Sequence, residues 1–402
     1  MGNSATSTDN AGGTNDVRLY TEIRPEQWPI IYSPEYDISF AGLERLHPFD
    51  SCKWSKVYRF LLESGLITKD TITEPLEVSR EELLEVHTPE YLDSLNSSST
   101  VATVVEIPPA AIIPNVLLRN RVLRPFRFHT GGTVLAGKLA KERGWAINIG
   151  GGFHHSYGEE GGGFCVYADI TLSVKLMLEK LGISKVMIVD FDAHQGNGHE
   201  RDFWHDERVY IMDMYNKWIY PGDHQAKGHT GPCVWTYEWV WFLVCGTGHQ
   251  HTYPVTGFLN VAAIKKKIEL DIHTSDEEYL ELVRIELPSA LEEFTPDMIV
   301  YNAGTDIMVG DALGRLDVTP EGVIKRDEIV FREARSRNIP IFMVTSGGYQ
   351  RTNARVIADS ILNLRAKHLI SAPNEDSHIV EQLRVEGITL EDHGVGGANE
   401  DQ

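Results

Sequence analysis

Four short apolar runs, each followed by glycine or polar residues, constrain the fold of this chain more than any other feature. They occupy residues 146–149, 185–189, 298–301 and 339–344. None of them alternates regularly between apolar and polar residues, which is typical of strands buried on both faces of a parallel sheet.

Helical patterns surround these runs, at residues 131–143, 168–181, 276–293 and 319–337. This alternation predicts an α/β fold with a central, mostly parallel sheet flanked by helices. Ligands of such sheets bind beyond the carboxyl ends of the strands. We therefore expect the active site at that edge, where the unusual polar clusters of this chain begin.

The composition argues against several classes of protein. Among 402 residues, 37 are basic and 58 are acidic, so the formal net charge is −21. This charge argues against direct binding of nucleic acid and suits a cationic substrate. No apolar run approaches the ~20 residues that span a bilayer, and we find no secretory signal. Four scattered cysteines without a CxxC pair predict a reducing compartment, the nucleus or the cytoplasm.

We predict one catalytic domain over residues 17–371, between a disordered tail at 1–16 and a disordered acidic tail at 372–402. One segment inside the domain is atypical. Residues 228–261 contain three tryptophans, no lysine or arginine, and a single acid, Glu238; a structureless loop of this length is uncommon. We favour a sequence artefact, such as retained non-coding sequence, over an exposed binding element.

Two of the polar clusters carry histidines. The first, at residues 150–155, reads Gly-Gly-Gly-Phe-His-His. A histidine there could bind a metal or move a proton, although on its own an ordinary surface loop is the simpler explanation. In the second, Asp190, Asp192 and His194 share one face of an extended chain. Two carboxylates at the end of a buried strand are costly without a cation, so this cluster predicts a metal site.

The other two clusters add to this site. Asp306 follows a third buried strand, and with Asp192 and His194 it would offer two oxygens and one nitrogen. Three protein ligands with an open position are typical of catalytic zinc, which lowers the pKa of bound water toward about 7. Tyr349 follows Ser-Gly-Gly after the last strand and could donate a hydrogen bond to an oxyanion. Taken alone, it would be an ordinary core or surface tyrosine.

Seven motifs together resemble those of the zinc-dependent histone deacetylases. They are GGGFHH, GGGFCVYADIT, DFDAHQGNGHERDFW, YIMDMYN, YNAGTD, KRDE and VTSGGYQ. The resemblance runs from about Val17 to Ile370, apart from 228–261, and is strongest to the class IV, eleven-type members. It implies the arginase–deacetylase fold and hydrolysis of the amide of acyl-lysine in proteins by metal-activated water.

The resemblance also implies catalytic roles for individual residues. One Zn²⁺ would bind Asp192, His194 and Asp306. His155 would be the general base that takes a proton from water, and then the acid that protonates the lysine amine. Tyr349 would polarise the scissile carbonyl and stabilise the tetrahedral intermediate.

Other residues would support this centre. His154 would be a more buried partner oriented by Asp190, and Asp190 with Asp213 would hold a structural K⁺. Asn197 stands where class I members carry an aspartate beside the second histidine. A neutral amide orients the imidazole of His155 without favouring its charged form, so we expect a lower pKa for His155 than an aspartate would give.

A narrow tunnel for the acyl-lysine stem is implied as well, walled by Phe164 and Tyr220 with Gly163 at its base. Leu313 takes a gate position where polyamine-specific relatives carry a glutamate, which makes acetylpolyamine hydrolysis the less favoured alternative. Class IV members are associated with removal of long fatty-acyl groups and weak deacetylation, and the resemblance implies the same preference here.

Two further possibilities stay open. Residues 228–261 follow the predicted tunnel wall closely and could disable the site, leaving a non-catalytic acyl-lysine binder. Gly2 and Thr6 match a myristoylation pattern, but a single acyl chain gives only weak membrane association. The expected partners are acyl-lysine proteins, histones or others.

Overall fold

A seven-stranded sheet runs through the computed structural model, which describes residues 17–38, 49–226, 264–373 and 375. The strands are Ile30–Ile31 (β1), Trp145–Asn148 (β2), Val186–Asp190 (β3), Val209–Asn216 (β4), Ile264–Leu270 (β5), Met298–Asn302 (β6) and Ile341–Val344 (β7). Their order is β1-β2-β7-β6-β3-β4-β5, and every neighbouring pair is parallel. The predicted α/β fold with a central parallel sheet is therefore confirmed.

Helices pack against this sheet. The α-helices of the described residues are Lys53–Glu63 (α1), Arg80–Leu83 (α2), Pro89–Ser94 (α3), Ser98–Val104 (α4), Asn115–Leu118 (α5), Arg124–Arg143 (α6), Asp169–Lys180 (α7), Asn197–Asp202 (α8), Asp276–Glu293 (α9), Pro320–Ser336 (α10) and Asn353–Ala366 (α11). Short 3₁₀ turns occupy Pro34–Tyr36 and Pro108–Ile112, and a π-helical turn at Arg119–Leu123 leads into α6. The four predicted helices correspond to α6, α7, α9 and α10, although α6 begins seven residues earlier than its pattern indicates.

The core explains why the predicted strands lack alternation. In β3, Met187 and Val189 belong to the hydrophobic cluster on one face of the sheet, while Val186 and Ile188 belong to the cluster on the other face. All four side chains are buried. Because both faces of the strand are covered, both of its side-chain rows are apolar.

The carboxyl ends of the central strands bring polar residues into one place. Asp190 ends β3, where it lies in register with Asp213 on β4 and with Asn302 on β6. The glycine cluster that begins at Gly150 follows β2, and Ser346 follows β7. The four clusters found in the sequence therefore meet at a single edge, as the parallel sheet predicts.

Some predictions concern residues outside the described ranges. These are the tail at 1–16 with Gly2, the 228–261 segment, and the tail at 372–402 except 372, 373 and 375. They stay predictions, as do the limits of the catalytic domain at 17 and 371. Within the described ranges, no helix combines the length and the apolar character that crossing a bilayer requires.

Candidate active site

Asp192, His194 and Asp306 form a tight group at the carboxyl edge of the sheet. The first two lie in the loop after β3, and the third lies in the loop after β6. Nδ1 of His194 is 3.0 Å from Oδ1 of Asp192 and 2.9 Å from Oδ2 of Asp306. All three side chains are buried, so the three predicted zinc ligands converge on one point.

The backbone and one hydroxyl determine which carboxylate oxygens remain available. Ser346 Oγ and the Gly347 amide donate to Oδ2 of Asp192, at 2.7 and 2.8 Å. The amide of Ala193 donates to Oδ1 of Asp306 at 2.9 Å. The other oxygen of each carboxylate faces the imidazole of His194, and that of Asp192 also accepts from the His194 amide at 3.0 Å.

The charges of this group also favour a cation. Burial and the neighbouring Asp192 raise the pKa of Asp306 to about 7. Although burial alone would lower it, the two carboxylates raise the pKa of His194 to about 10. A positive charge is thus held among these side chains, and one nitrogen with two oxygens is a donor set that suits Zn²⁺. The residues present therefore fit a catalytic metal ion, and the group is one of the two potential metal clusters of the described residues.

His154 and His155 lie beside the group in the loop after β2, with their ring centroids 4.1 Å apart. Nδ1 of His154 donates to Oδ2 of Asp190 at 2.8 Å, and its Nε2 is 3.6 Å from Oδ1 of Asp192. Nδ1 of His155 is 2.8 Å from Oδ1 of Asn197. Asp190 thus orients His154 as the resemblance implies, and Asn197 contacts the second histidine.

The two neighbouring imidazoles have different charges. Against the effect of burial, Asp190 and Asp192 raise the pKa of His154 to about 9. Burial, together with the positive charges on His154 and His194, lowers the pKa of His155 well below its ordinary value. At neutral pH, His154 is the cationic member of the pair and His155 is the neutral member, which can accept a proton.

A chain of hydrogen bonds determines the tautomer of His155. Arg201 Nε donates to Oδ2 of Asp223 at 2.7 Å, and Nδ2 of Asn197 donates to the same oxygen at 3.3 Å. Because the carboxylate of Asp223 accepts, Asn197 presents its NH₂ group to Asp223 and its oxygen to His155. The proton of neutral His155 therefore lies on Nδ1, and Nε2 carries the lone pair.

Tyr349 also lies beside the metal group. Its ring centroid lies 6.0 Å from that of His194 and 5.9 Å from that of Phe49. The backbone amide of Tyr349 donates to Oδ2 of Asp311 at 2.9 Å, which anchors the loop that carries it. Burial and the nearby carboxylates raise the pKa of its hydroxyl well above the ordinary value, so Tyr349 stays a hydrogen-bond donor.

A pocket brings together Asp192 of the metal group, both histidines and Tyr349. Its walls combine the two histidines and Asp192 with aromatic rings and glycines. The lining residues are Phe49, Trp54, Gly151, Gly152, Phe153, His154, His155, Gly163, Phe164, Cys165, Asp192, Thr345, Ser346, Gly347 and Tyr349. The ring of Phe164 packs between those of Phe49 and Phe126, with centroids 4.8 and 5.4 Å away. The apolar stem of an acyl-lysine side chain can thus pass between these aromatic rings and reach the histidines and Asp192.

The other predicted tunnel residues lie nearby. Gly163 has a φ of +55°, and a Cβ there would come within 2.6 Å of the His155 ring and 2.9 Å of Tyr220, so only glycine fits. Tyr220 packs on His155 at 4.8 Å and is 38% exposed, at the rim of the pocket. The amide of Leu313 donates to Asp311. Neither Tyr220 nor Leu313 is among the lining residues, so the gate role of Leu313 stays a prediction.

A second buried acidic group lies beneath the first. Asp213 Oδ2 accepts from the Gly196 amide at 2.9 Å, and the carboxyl groups of Asp213 and Glu200 lie within hydrogen-bonding distance of each other. Burial, with Asp190 and Glu200, raises the pKa of Asp213 well above its ordinary value. A proton or a monovalent cation would relieve this charge, so Asp213 suits the predicted K⁺ site. Both oxygens of Asp190 already accept hydrogen bonds.

Several residues of the site escape sequence reasoning. The buried Lys53 donates to the carbonyl oxygens of Ser346 and Gly347, the second at 3.0 Å, and burial lowers its pKa to about 8. His199 Nε2 is 2.8 Å from Oδ2 of Asp190. Asp223 belongs to the stretch 220–223 that is expected to wall the tunnel, but the hydrogen bond that it accepts from Asn197 has no signal in the sequence. His199 lies inside the DFDAHQGNGHERDFW motif, which is the signal available for it, whereas the contacts of Lys53 and Asp223 depend on the tertiary structure.

Comparisons with known proteins agree with this geometry. The family model described as "Histone deacetylase domain" matches residues 47–365. "Histone deacetylase 2" of Arabidopsis thaliana is 48% identical over 358 residues, which cover 89% of this chain and 84% of that protein. "Histone deacetylase HDA1" of Saccharomyces cerevisiae is 26% identical over 353 residues, 82% of this chain but 45% of that protein.

A solved structure shares the fold. The crystal structure of the HDA15 HD domain superimposes with a TM-score of 0.63 at 18% sequence identity, covering 90% of this chain and 94% of that chain. This likeness supports the predicted arginase–deacetylase fold. Since the family model spans most of the described residues, including the candidate site, the chain belongs to the histone deacetylase domain family.

Proposed function

We propose that this chain hydrolyses the amide of acyl-lysine in proteins, with one Zn²⁺ held by Asp192, His194 and Asp306. The observation that carries the proposal is the arrangement around one pocket. A buried group that could hold a metal ion lies there, with the rings of a neutral histidine, His155, and of Tyr349 within 6.0 Å of the His194 ring. These are the components that hydrolysis of an amide needs: a Lewis acid, a base and an oxyanion donor.

Each side chain has a defined task in this reaction. When bound, Zn²⁺ supplies Lewis-acid polarisation and lowers the pKa of water toward about 7. His155 accepts a proton from the attacking water through Nε2 and later returns it to the lysine amine. Tyr349 donates a hydrogen bond to the carbonyl oxygen as negative charge develops there. His154, held cationic by Asp190, lies beside His155 and disfavours a second positive charge there, which keeps His155 neutral.

A structural K⁺ at Asp190 and Asp213 is part of the proposal. The close packing of the buried carboxyl groups of Asp213 and Glu200 supports it, because a cation there would offset their mutual repulsion. Backbone carbonyl oxygens would complete the coordination, because potassium prefers oxygen ligands. Such an ion would neutralise the acids beneath the catalytic group without entering the reaction.

We further propose that long fatty-acyl groups are favoured over acetyl, as in class IV members. This assignment rests on the sequence motifs and on the aromatic pocket walls. Burial of two additional methylenes, at ~0.8 kcal/mol each, would already favour the longer chain about tenfold. The substrates would be histones or other acyl-lysine proteins, in the nucleus or the cytoplasm; direct nucleic-acid binding is not expected from so acidic a chain.

Matched peptides carrying myristoyl-lysine or acetyl-lysine test this proposal, each assayed with and without a zinc chelator. We expect chelator-sensitive turnover with kcat/KM at least about tenfold higher for myristoyl-lysine, from apolar burial alone. Equal or higher turnover of acetyl-lysine would contradict the acyl preference. Faster turnover of acetylspermidine than of either peptide would favour the polyamine alternative.

The 228–261 segment lies outside the described residues, so its effect has to be measured. The peptide assay is therefore run on the full-length chain and on a chain that lacks 228–261. Turnover only in a chain that lacks 228–261 would indicate that this segment blocks the site. Zinc binding without turnover in both chains would favour a non-catalytic acyl-lysine binder.

The intact mass of the protein from its source would show whether Gly2 is myristoylated. Myristoylation is the condition for the weak membrane association that the N-terminal pattern predicts.

Substituting Asn197 with aspartate should move the acid limb of the pH profile of kcat/KM to higher pH. His155 must be neutral to accept a proton, and a carboxylate in contact with Nδ1 raises its pKa, by roughly 1 unit or more. Asp223, 3.3 Å from the amide, would repel the new carboxylate, but Arg201 is placed to offset this. Asn197→Ala is the uncharged control and should not move the limb upward. An unchanged acid limb in Asn197→Asp would refute the assignment of His155 as the base.

A further inference from the structure

Arg326 belongs to the Lys-Arg-Asp-Glu motif at 325–328, which the proposed mechanism does not use. It lies in α10, and its side chain is completely buried. Burial of a guanidinium is costly unless its charge is paired and its donors find acceptors. The partners of this side chain therefore indicate what its burial achieves.

The guanidinium contacts both loops that carry the metal-binding side chains. Nη1 donates to the carbonyl oxygen of Phe191 at 3.1 Å and to that of Gly304 at 2.6 Å. Phe191 directly precedes Asp192, and Gly304 lies two residues before Asp306. A single nitrogen thus joins the backbone after β3 to the backbone after β6, beside two of the metal-binding carboxylates.

Asp327 holds the guanidinium in one orientation. Its Oδ1 accepts a hydrogen bond from Nε of Arg326 at 2.9 Å and forms an ion pair with Nη2, also at 2.9 Å. The Tyr301 hydroxyl donates to the same carboxylate, and Ser360 Oγ donates to its other oxygen at 2.6 Å. Residues of β6 and α11 therefore fix Asp327, which in turn fixes the planar fork of Arg326.

We propose that Arg326 is a positioning residue for the metal centre, which sets the separation of Asp192 and Asp306. This inference rests on the proposed function, because it takes these carboxylates as zinc ligands. Their loops also share the hydrogen bond from the Ala193 amide to Oδ1 of Asp306. Without the guanidinium of Arg326, the carbonyl oxygens of Phe191 and Gly304 lose their hydrogen-bond donor. The loops after β3 and β6 can then separate.

Zinc release from the loaded full-length chain tests the role of Arg326, with the freed metal captured by a chromogenic chelator. Arg326→Met removes all donors at similar volume. Arg326→Lys keeps the positive charge opposite Asp327 but lacks the several fixed donors of the planar guanidinium. If Arg326→Met does not fold, zinc release from Arg326→Lys tests the positioning role. We expect zinc affinity to fall about 10- to 100-fold in Arg326→Met, the effect usual for residues that orient metal ligands, and by a smaller factor in Arg326→Lys.

Leu364→Ala is the matched control, because Leu364 is a fully buried apolar residue of α11. It should lower the melting temperature without changing the rate of zinc release. Arg326 variants that release zinc at the wild-type rate would overturn the inference and leave the proposed function intact. A wild-type chain that binds no zinc would overturn both.

Discussion

Asp306→Asn abolishes both zinc binding and acyl-lysine hydrolysis in the proposed account. The substitution keeps the size of the side chain and an oxygen for the Ala193 amide, but it replaces an anionic ligand with a neutral amide. We expect the zinc content to fall from one ion per chain to near zero. We also expect kcat/KM to fall by at least about 10³-fold, because the Lewis acid is lost.

The same substitution should not destabilise the metal-free fold. Burial and Asp192 raise the pKa of Asp306 to about 7. A carboxyl group whose pKa rises on folding destabilises the folded state as the pH rises above its ordinary pKa. At pH 8, the metal-free Asp306→Asn chain should therefore melt no lower than the metal-free wild type.

Asp317→Asn is the control, since Asp317 is an exposed acid that pairs with His273. It should leave zinc content and turnover unchanged. Full zinc content with normal turnover in Asp306→Asn would contradict the assignment of the ligand group.

His155→Ala should lower kcat by about 10²- to 10⁴-fold, the usual contribution of general acid–base catalysis. The zinc content should be unchanged, because His155 is outside the metal-binding group, with its ring centroid 5.9 Å from that of His194. The variant therefore separates proton transfer from metal binding. KM should change little if the ring contributes mainly in the transition state.

The pH dependence of kcat/KM provides a second measurement on the His155→Ala variant. The acid limb that reports the ionisation of His155 should disappear from kcat/KM. His205→Ala, at an exposed histidine, should leave both the rate and the profile unchanged. A His155→Ala chain with wild-type kcat would show that another group accepts the proton.

The sequence predicts the candidate site better than it predicts the sheet. Asp192 and Asp306 lie a few residues beyond buried strands, so a parallel sheet places both at one edge. Their loops meet because β3 and β6 are neighbours, an order that the sequence does not reveal. Strand β5 was missed because it lies at the edge of the sheet, where Lys266 and Lys267 interrupt the apolar pattern that marks the central strands. Strand β1 has only two residues, too few to show a pattern.

The site residues that the sequence does not reveal are brought there by contacts between distant parts of the chain. Lys53 lies in α1 and reaches a carbonyl oxygen 293 positions away. Arg326 lies on a helix whose pattern reveals only that part of it is buried. The KRDE motif singles out Arg326 through the family resemblance, but no local pattern shows what either cation contacts, because the fold decides those contacts.

The most direct test of the central claim is a zinc titration of the metal-depleted full-length chain during hydrolysis of a myristoyl-lysine peptide. The proposed mechanism predicts no turnover without metal, a linear rise with added Zn²⁺, and a plateau at one equivalent per chain. Turnover that persists after complete removal of metal, or stoichiometric zinc binding without any turnover, would contradict the account.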